Sequence, residues 1–347
     1  MRRTVITLGT VAALTAATIT PAHAAPIATD LVTPLSAAVA EDGTAYVSQN
    51  FAGRLMEVPP GGNPSVIHSA RRGTEVGAVS VRGGVVTFAT TRGTTTRVLT
   101  KTAGGDATVL ANIGAYEQSA NPDGDTTYGF KGLGRNCKRQ LPGFLKPYKG
   151  IVESHPYATH PGSGTTYVAD AAANAIFAAA PNGTVSTVAV MPTINVHVNR
   201  REARANGLHK CVAGHKFRFE FVPTDVEMGP DGMLYVSALP GGPEDGSLGA
   251  NGSVWQLDPA TGDTTKVVGG LLSPVGIAIA ENGDMYVSQL FAGKVVRVPA
   301  GSSTPEPYKS VSLPGDVEWT PSAIYATTRV LSNGKGRLVR WPLPDAR

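Results

Sequence analysis

Glu153, His155, His160, Asp225 and Asp316 are the residues of this chain whose types and positions suit chemistry, because each sits where the chain enters or runs along a recurring apolar segment. Asp225 and Asp316, with Glu153, would supply oxygen ligands to a hard cation such as Ca2+, which takes about six to eight oxygens. A cation so held would polarise a carbonyl or activate water. The same aspartates would also serve by accepting hydrogen bonds from strand-entry amides, a common use of Asp in turns, and that reading is favoured. His155 and His160, each beside a proline, are candidate acid-base groups or plain polar loop residues. Asn121-Pro-Asp123-Gly-Asp125 places oxygens on alternate residues as a calcium loop does, but Thr126 and Gly132 stand where such a loop needs Gly and Glu, so it reads as a turn. No Gly-x-Ser-x-Gly elbow and no His-Glu-x-x-His pattern occurs.

The elements that must position these groups announce themselves by repetition. Tyr46-Val-Ser-Gln-Asn-Phe-Ala-Gly-Arg-Leu-Met-Glu-Val-Pro59 returns nearly unchanged as Tyr286-Val-Ser-Gln-Leu-Phe-Ala-Gly-Lys-Val-Val-Arg-Val-Pro299. Fainter echoes begin at Tyr167, Tyr235 and Tyr325. Asp42-Gly43, Asp231-Gly232 and Asn282-Gly283 between alternating runs are hairpin signals, since both residue types tolerate positive φ. Each unit is thus a meander of about four short strands that cannot bury its faces alone. The expectation is an all-β, six-bladed β-propeller with units at Leu35–Val66, Val76–Leu110, His155–Val190, Val222–Val268, Pro274–Tyr308 and Pro314–Trp341. The segment from Pro26 to Val32 would complete the last blade and close the ring. Phe51 and Phe291, equivalent in the repeat, read as packing between blades.

Two long inserted loops on one face, about 111–154 and 191–221, interrupt the pattern. They hold twelve basic side chains against six acidic ones, so one face is basic while the body is mildly acidic. Lys131, Arg135, Lys138, Arg139, Arg200, Arg201 and Arg204 are the candidate anion-binding residues. Charge for solubility is the equal alternative. Each insertion carries one cysteine, Cys137 and Cys211. An even count in an exported chain favours a disulfide, whereas His209, Cys211 and His215 would be the metal alternative.

Arg2 and Arg3, the uncharged stretch from Val5 to Ile19 and Ala22-His-Ala24 read as a signal peptide over 1–24, cleaved near Ala24. The remaining 25–347 is expected to be one secreted, monomeric propeller domain without a transmembrane segment. Without the two leader arginines the formal charge falls from +4 to +2, which points to neither nucleic acid nor membrane as partner.

Val222-Pro-Thr-Asp-Val-Glu-Met-Gly-Pro-Asp-Gly-Met-Leu-Tyr-Val-Ser-Ala-Leu-Pro-Gly-Gly-Pro243 resembles the signature blade of the ScyD/ScyE family. Ile113-Gly-Ala-Tyr-Glu117, Asn121-Pro-Asp-Gly124, Glu153-Ser-His-Pro-Tyr157, Val168-Ala-Asp-Ala-Ala-Ala-Asn-Ala-Ile176 and Gly252-Ser-Val-Trp-Gln-Leu-Asp-Pro259 support the resemblance in family order across most of the chain. It implies an exported six-bladed propeller of the NHL and gluconolactonase-like superfamily, with no settled activity and no catalytic residues to carry over. The basic stretch from Thr126 to Gly150 departs from the family pattern. Two functions are therefore expected, in order of preference. The first is an extracellular binding or scaffold module presenting its basic face to an anionic ligand, polymer or protein. The second is a lactonase-type hydrolase with Ca2+ in the central channel.

Overall fold

At each Asx-Gly turn the short side chain folds back on its own backbone. Asp42 accepts from the Thr44 amide at 2.8 Å, Asp231 from Met233 at 3.1 Å and Asn282 from Asp284 at 3.0 Å. The glycines between them, Gly43, Gly232 and Gly283, take φ of 85°, 78° and 87°, where a Cβ would be strained. These turns join the first and second strands of three sheets, as in Ala37–Val39 with Ala45–Gln49.

The computed structural model describes residues 25–343, so the leader read over 1–24 lies outside the described residues. The described residues form seven four-stranded antiparallel sheets. Six contribute a first strand to a central ring: Ala37–Val39, Glu75–Arg82, Pro156–Pro161, Phe221–Met228, Pro274–Ile279 and Val317–Thr320. Each packs on the next in chain order, and Val317–Thr320 packs back on Ala37–Val39. Pro26–Leu31 pairs with Gly336–Pro342 as the outer strand of the last of these sheets, so the two ends of the chain close the propeller together. Apolar clusters between adjacent sheets form the core, for instance Ile176, Met191, Phe221 and Leu234 between the third and fourth.

The seventh sheet is a departure from the sequence reading, which took both insertions for loops. Thr127–Phe130 and Tyr148–Lys149 from the first insertion join His215–Phe219 and Ile194–Val198 from the second. Two helices, Arg135–Arg139 and Arg200–Ala205, pack through Cys137 and Ala203 into a small core with Phe130, Leu133, Val212 and Phe217. Cys137 and Cys211 are disulfide-bonded, with Cα atoms 5.8 Å apart. Neither segment could bury enough apolar surface alone, and the covalent link and shared core make one module of the two.

Candidate functional site

Side chains alternate along a strand, so every second residue of the ring strands faces the channel. That sets Asp225 on one face with Glu227 and Ala158 with His160, while Asp316 stands just before Val317–Thr320. Asp225 and Asp316, 5% and 8% exposed, are engaged by backbone. Asp225 accepts from the amide of Val226 at 2.8 Å and, across the sheet junction, from that of Ile277 at 2.7 Å. Asp316 does the same with Val317 and with Ala37, both at 2.8 Å. Ser36 repeats the device on the Val79 amide at 2.8 Å. A Cβ on Gly276 would lie 2.8 Å from an Asp316 carboxyl oxygen, and one on Gly77 would lie 2.7 Å from the Asn50 amide nitrogen, so these aligned positions are occupied by their neighbours' side chains. Burial drives both aspartate pKa values up, and their amide partners only partly offset this.

The channel-cation set therefore does not come together as expected from the sequence. Asp225 and Asp316 stitch sheets, while Glu153 is exposed and borders a separate pocket with Thr94, Glu117 and Ser154. Among the described residues no group of three or more His, Cys, Asp or Glu is arranged to hold a metal ion.

His155 and His160 fall at opposite ends of their strand, and each meets a carboxylate that the sequence reading did not single out. At the entrance mouth, His155 Nε2 lies 2.9 Å from Glu75 Oε2, with the side chains 35% and 18% exposed. The Asn50 amide nitrogen donates to the other Glu75 oxygen at 2.9 Å, and the His155 backbone amide donates to Asp170 at 2.7 Å, so both partners are held. The hydrogen bond to Glu75 raises the His155 pKa above 6.5 against the pull of burial. Burial opposes ionisation of Glu75, yet the His155 hydrogen bond and charge and the Asn50 contact outweigh it and hold its carboxyl below 4.5. The pair thus favours carboxylate on Glu75 and imidazolium on His155. Nδ1 of His155 has no hydrogen-bond partner among the described residues.

His155 and Glu75 border a cup of about 250 Å³ whose wall is mostly apolar, including Leu35, Phe51, Leu239, Val275, Leu290 and Phe291. Phe51 is 67% exposed and lines this cup instead of packing between blades, whereas Phe291 borders the cup while packing on Val275, Leu290 and Val330 from neighbouring blades as the repeat suggested. Tyr157 also borders it, and burial, with the charges of Asp316, Glu75 and Asp225, raises its pKa so that the phenol keeps its proton. Glu244 and Asp245 make an acidic rim.

At the exit mouth His160 Nδ1 lies 2.9 Å from Glu227 Oε2, in a pocket of about 230 Å³ with Ser80, Arg82 and Glu318. The seven basic candidates sit on the insertion module. Lys131, Arg135, Lys138, Arg139, Arg200, Arg201 and Arg204 are all exposed, and none belongs to an ion pair among the described residues.

No protein-family description matches the chain, and no curated protein matches it either. Solved structures do. Virginiamycin B lyase from Staphylococcus aureus is 16% identical, with 89% of this chain and 95% of that one covered and a TM-score of 0.51. A gluconolactonase from Xanthomonas campestris is 13% identical over 92% and 89% of the two chains, with a TM-score of 0.56. Regucalcin from Agrobacterium tumefaciens, described as a calcium-binding protein, is 14% identical over 92% and 94%, with a TM-score of 0.54. At these identities the likeness is one of fold: all are β-propellers of the NHL and gluconolactonase-like kind.

Proposed function

We propose that the protein is an enzyme acting by general acid-base catalysis on a small, largely apolar, carbonyl-bearing molecule bound in the entrance cup. The observation that carries this is the Glu75–His155 pair on the wall of that cup. Glu75 fixes the ring and favours its protonated form, from which His155 donates a proton to a leaving oxygen. Tyr157, kept protonated, supplies a hydrogen bond to a carbonyl or developing oxyanion. The apolar wall holds the body of the substrate and limits water, and the acidic rim disfavours anionic substrates. A lyase and a gluconolactonase on the same fold lend this reading support by analogy, and a virginiamycin B lyase with one histidine replaced by alanine is described as catalytically inactive.

The test is a panel of uncharged lactones, esters and cyclic esters, followed by proton release and mass spectrometry. At least one should turn over, with the rate cut by about 10²–10⁴ in His155→Asn. Absence of both turnover and saturable binding across the panel would refute the reading.

A second reading rests on the seven exposed, unpaired basic residues of the disulfide-linked module, which suit an anionic polymer or protein. Retention on heparin that weakens with salt and is lost when Arg135, Arg139, Arg200 and Arg204 become Ser would support it. Unchanged retention would remove it. We also read the chain as an exported, monomeric ScyD/ScyE-like protein, on its leader pattern and the motifs quoted above.

A further inference from the structure

Behind the Glu153–His155 segment, away from the channel, a second set of polar groups is gathered with nothing to satisfy it. The helix Ile113–Ala120 is capped by Asn112 and ends at Asn121, whose left-handed φ of 38° turns the chain while its amide closes on the Glu117 carbonyl at 2.9 Å. The next turn tucks Asp123 inward, where one carboxyl oxygen accepts from the Tyr128 hydroxyl and from the Asn174 amide nitrogen, both at 2.8 Å. Asn174 comes from the turn between strands Thr166–Asp170 and Ala175–Ala179 and is itself left-handed, with φ of 54°. Insertion and propeller thus meet through the Asp123 carboxylate and the Asn174 carboxamide.

Five of those oxygens are buried without a hydrogen-bond partner: both of Glu117, the second of Asp123, and the carboxamide oxygens of Asn121 and Asn174. Glu117, Asp123 and Asn174 are each 1% exposed. A native interior rarely tolerates one such orphan, and five from neighbouring turns call for a shared partner. No Lys, Arg or His pairs with Glu117 or Asp123 among the described residues, so their buried negative charge has no basic partner. Burial and the charges of Asp170 and Asp123 push the Glu117 pKa up to about 7. The Glu153 amide faces Glu117 and offsets this in part, without reaching hydrogen-bonding geometry.

We propose that Glu117, Asn121, Asp123 and Asn174 form a calcium site that ties the insertion module to the propeller. Carboxylate and carboxamide oxygens without nitrogen or sulfur suit a hard cation, and a bidentate Glu117 with three further oxygens supplies most of the shell calcium takes. Magnesium, which needs a near-ideal octahedron and keeps several waters, fits a set of protein oxygens less well. The site also accounts for the incomplete calcium-loop spacing from Asn121 to Asp125. The ligands that such a loop would draw from downstream come instead from Glu117, one helical turn upstream, and from Asn174 of the neighbouring sheet. The Glu117 side borders an open pocket with Gly93, Gln118 and Val152, which gives an ion a route in.

The experiment is elemental analysis of the purified chain, then calorimetric and thermal-melt titration of chelator-treated protein with CaCl2 and, separately, MgCl2. About one calcium per chain is expected, with a Tm that falls on chelation, recovers with calcium and responds far less to magnesium. Glu117→Gln and Asp123→Asn should each weaken calcium binding by at least about tenfold, while Asp225→Asn and Asp316→Asn leave it unchanged. Asn121→Asp, which keeps the oxygen and adds charge, should tighten it; circular dichroism and an intact disulfide certify the fold of each variant. A Tm indifferent to calcium and chelator would overturn the site. So would one-to-one calcium binding that survives both Glu117→Gln and Asp123→Asn.

Discussion

The two mouths of the channel hold the same pair at the same distance, a histidine 2.9 Å from a glutamate, in pockets of nearly equal size. Their surroundings differ. At the entrance the pair faces leucines, valines and two phenylalanines. At the exit it faces Arg82 and Glu318, and burial together with the charges of Glu227, Asp316 and Asp225 pushes the Glu318 carboxyl well up. Burial pulls the His160 pKa down and Arg82 adds to this, though Glu227 more than compensates. A His–Glu contact therefore does not define a reactive centre. The mouths differ in their walls: the entrance is lined mainly by large apolar side chains, whereas the exit sets Ala38, Val39, Val81 and Pro161 beside Arg82 and Glu318.

The sharpest way to break this comparison is to exchange the histidines. His155→Asn should cost about 10²–10⁴ in turnover, and His160→Asn should stay within about twofold of the parent. Equal losses would erase the distinction between the mouths. Next in size is the shaft they share: Asp316→Ala frees the buried Ala37 and Val317 amides and should destabilise by about 1–3 kcal/mol in denaturant melts, with Asp225→Ala alike.

Glu75→Gln sharpens the entrance. Glu75 raises the folded-state pKa of His155, so the stability this gives is full below 6.5, the unfolded value, and is lost as pH rises through the folded value. The Glu75 carboxyl is depressed, so its own contribution is present above 4.5 and is lost as pH falls through its folded value. The pair thus contributes most between these limits, and turnover that depends on imidazolium should fall as pH rises. Glu75→Gln should move that fall to lower pH, because burial then acts on His155 against only the weaker charges of Asp170 and Glu153. An unshifted pH profile would remove Glu75 from the account. Smallest is Phe51→Ala or Phe291→Ala, which should raise KM about fivefold with kcat little changed, in line with about 1 kcal/mol of lost aromatic contact each.

Much of the scaffold was legible because its signals are local. Asx-Gly turns, alternating runs and the repeated stretches at Tyr46 and Tyr286 report their strands within a few residues. Even the channel aspartates could be read as amide acceptors from their place at strand entrances. The site was not legible for the converse reason. Glu75 opens the second ring strand and meets His155 from 80 residues away, and His160 and Glu227 are 67 apart, so only the closed ring creates these pairs. The seventh sheet hides likewise, since Gly129 pairs with Arg218 and Phe130 with Phe217 across the two insertions, in strands too short for their alternation to register. Phe51 was misread because a repeated aromatic suits packing as well as it suits a wall, and only its exposure decides.

The most direct test is histidine-selective NMR of the folded protein during a titration with small, uncharged, carbonyl-bearing fragments. The account predicts that bound fragments shift the His155 ring signals and leave those of His160 in place, with the response of His155 lost in Phe51→Ala/Phe291→Ala. Shifts confined to His160, or fragments that bind without moving His155, would contradict it.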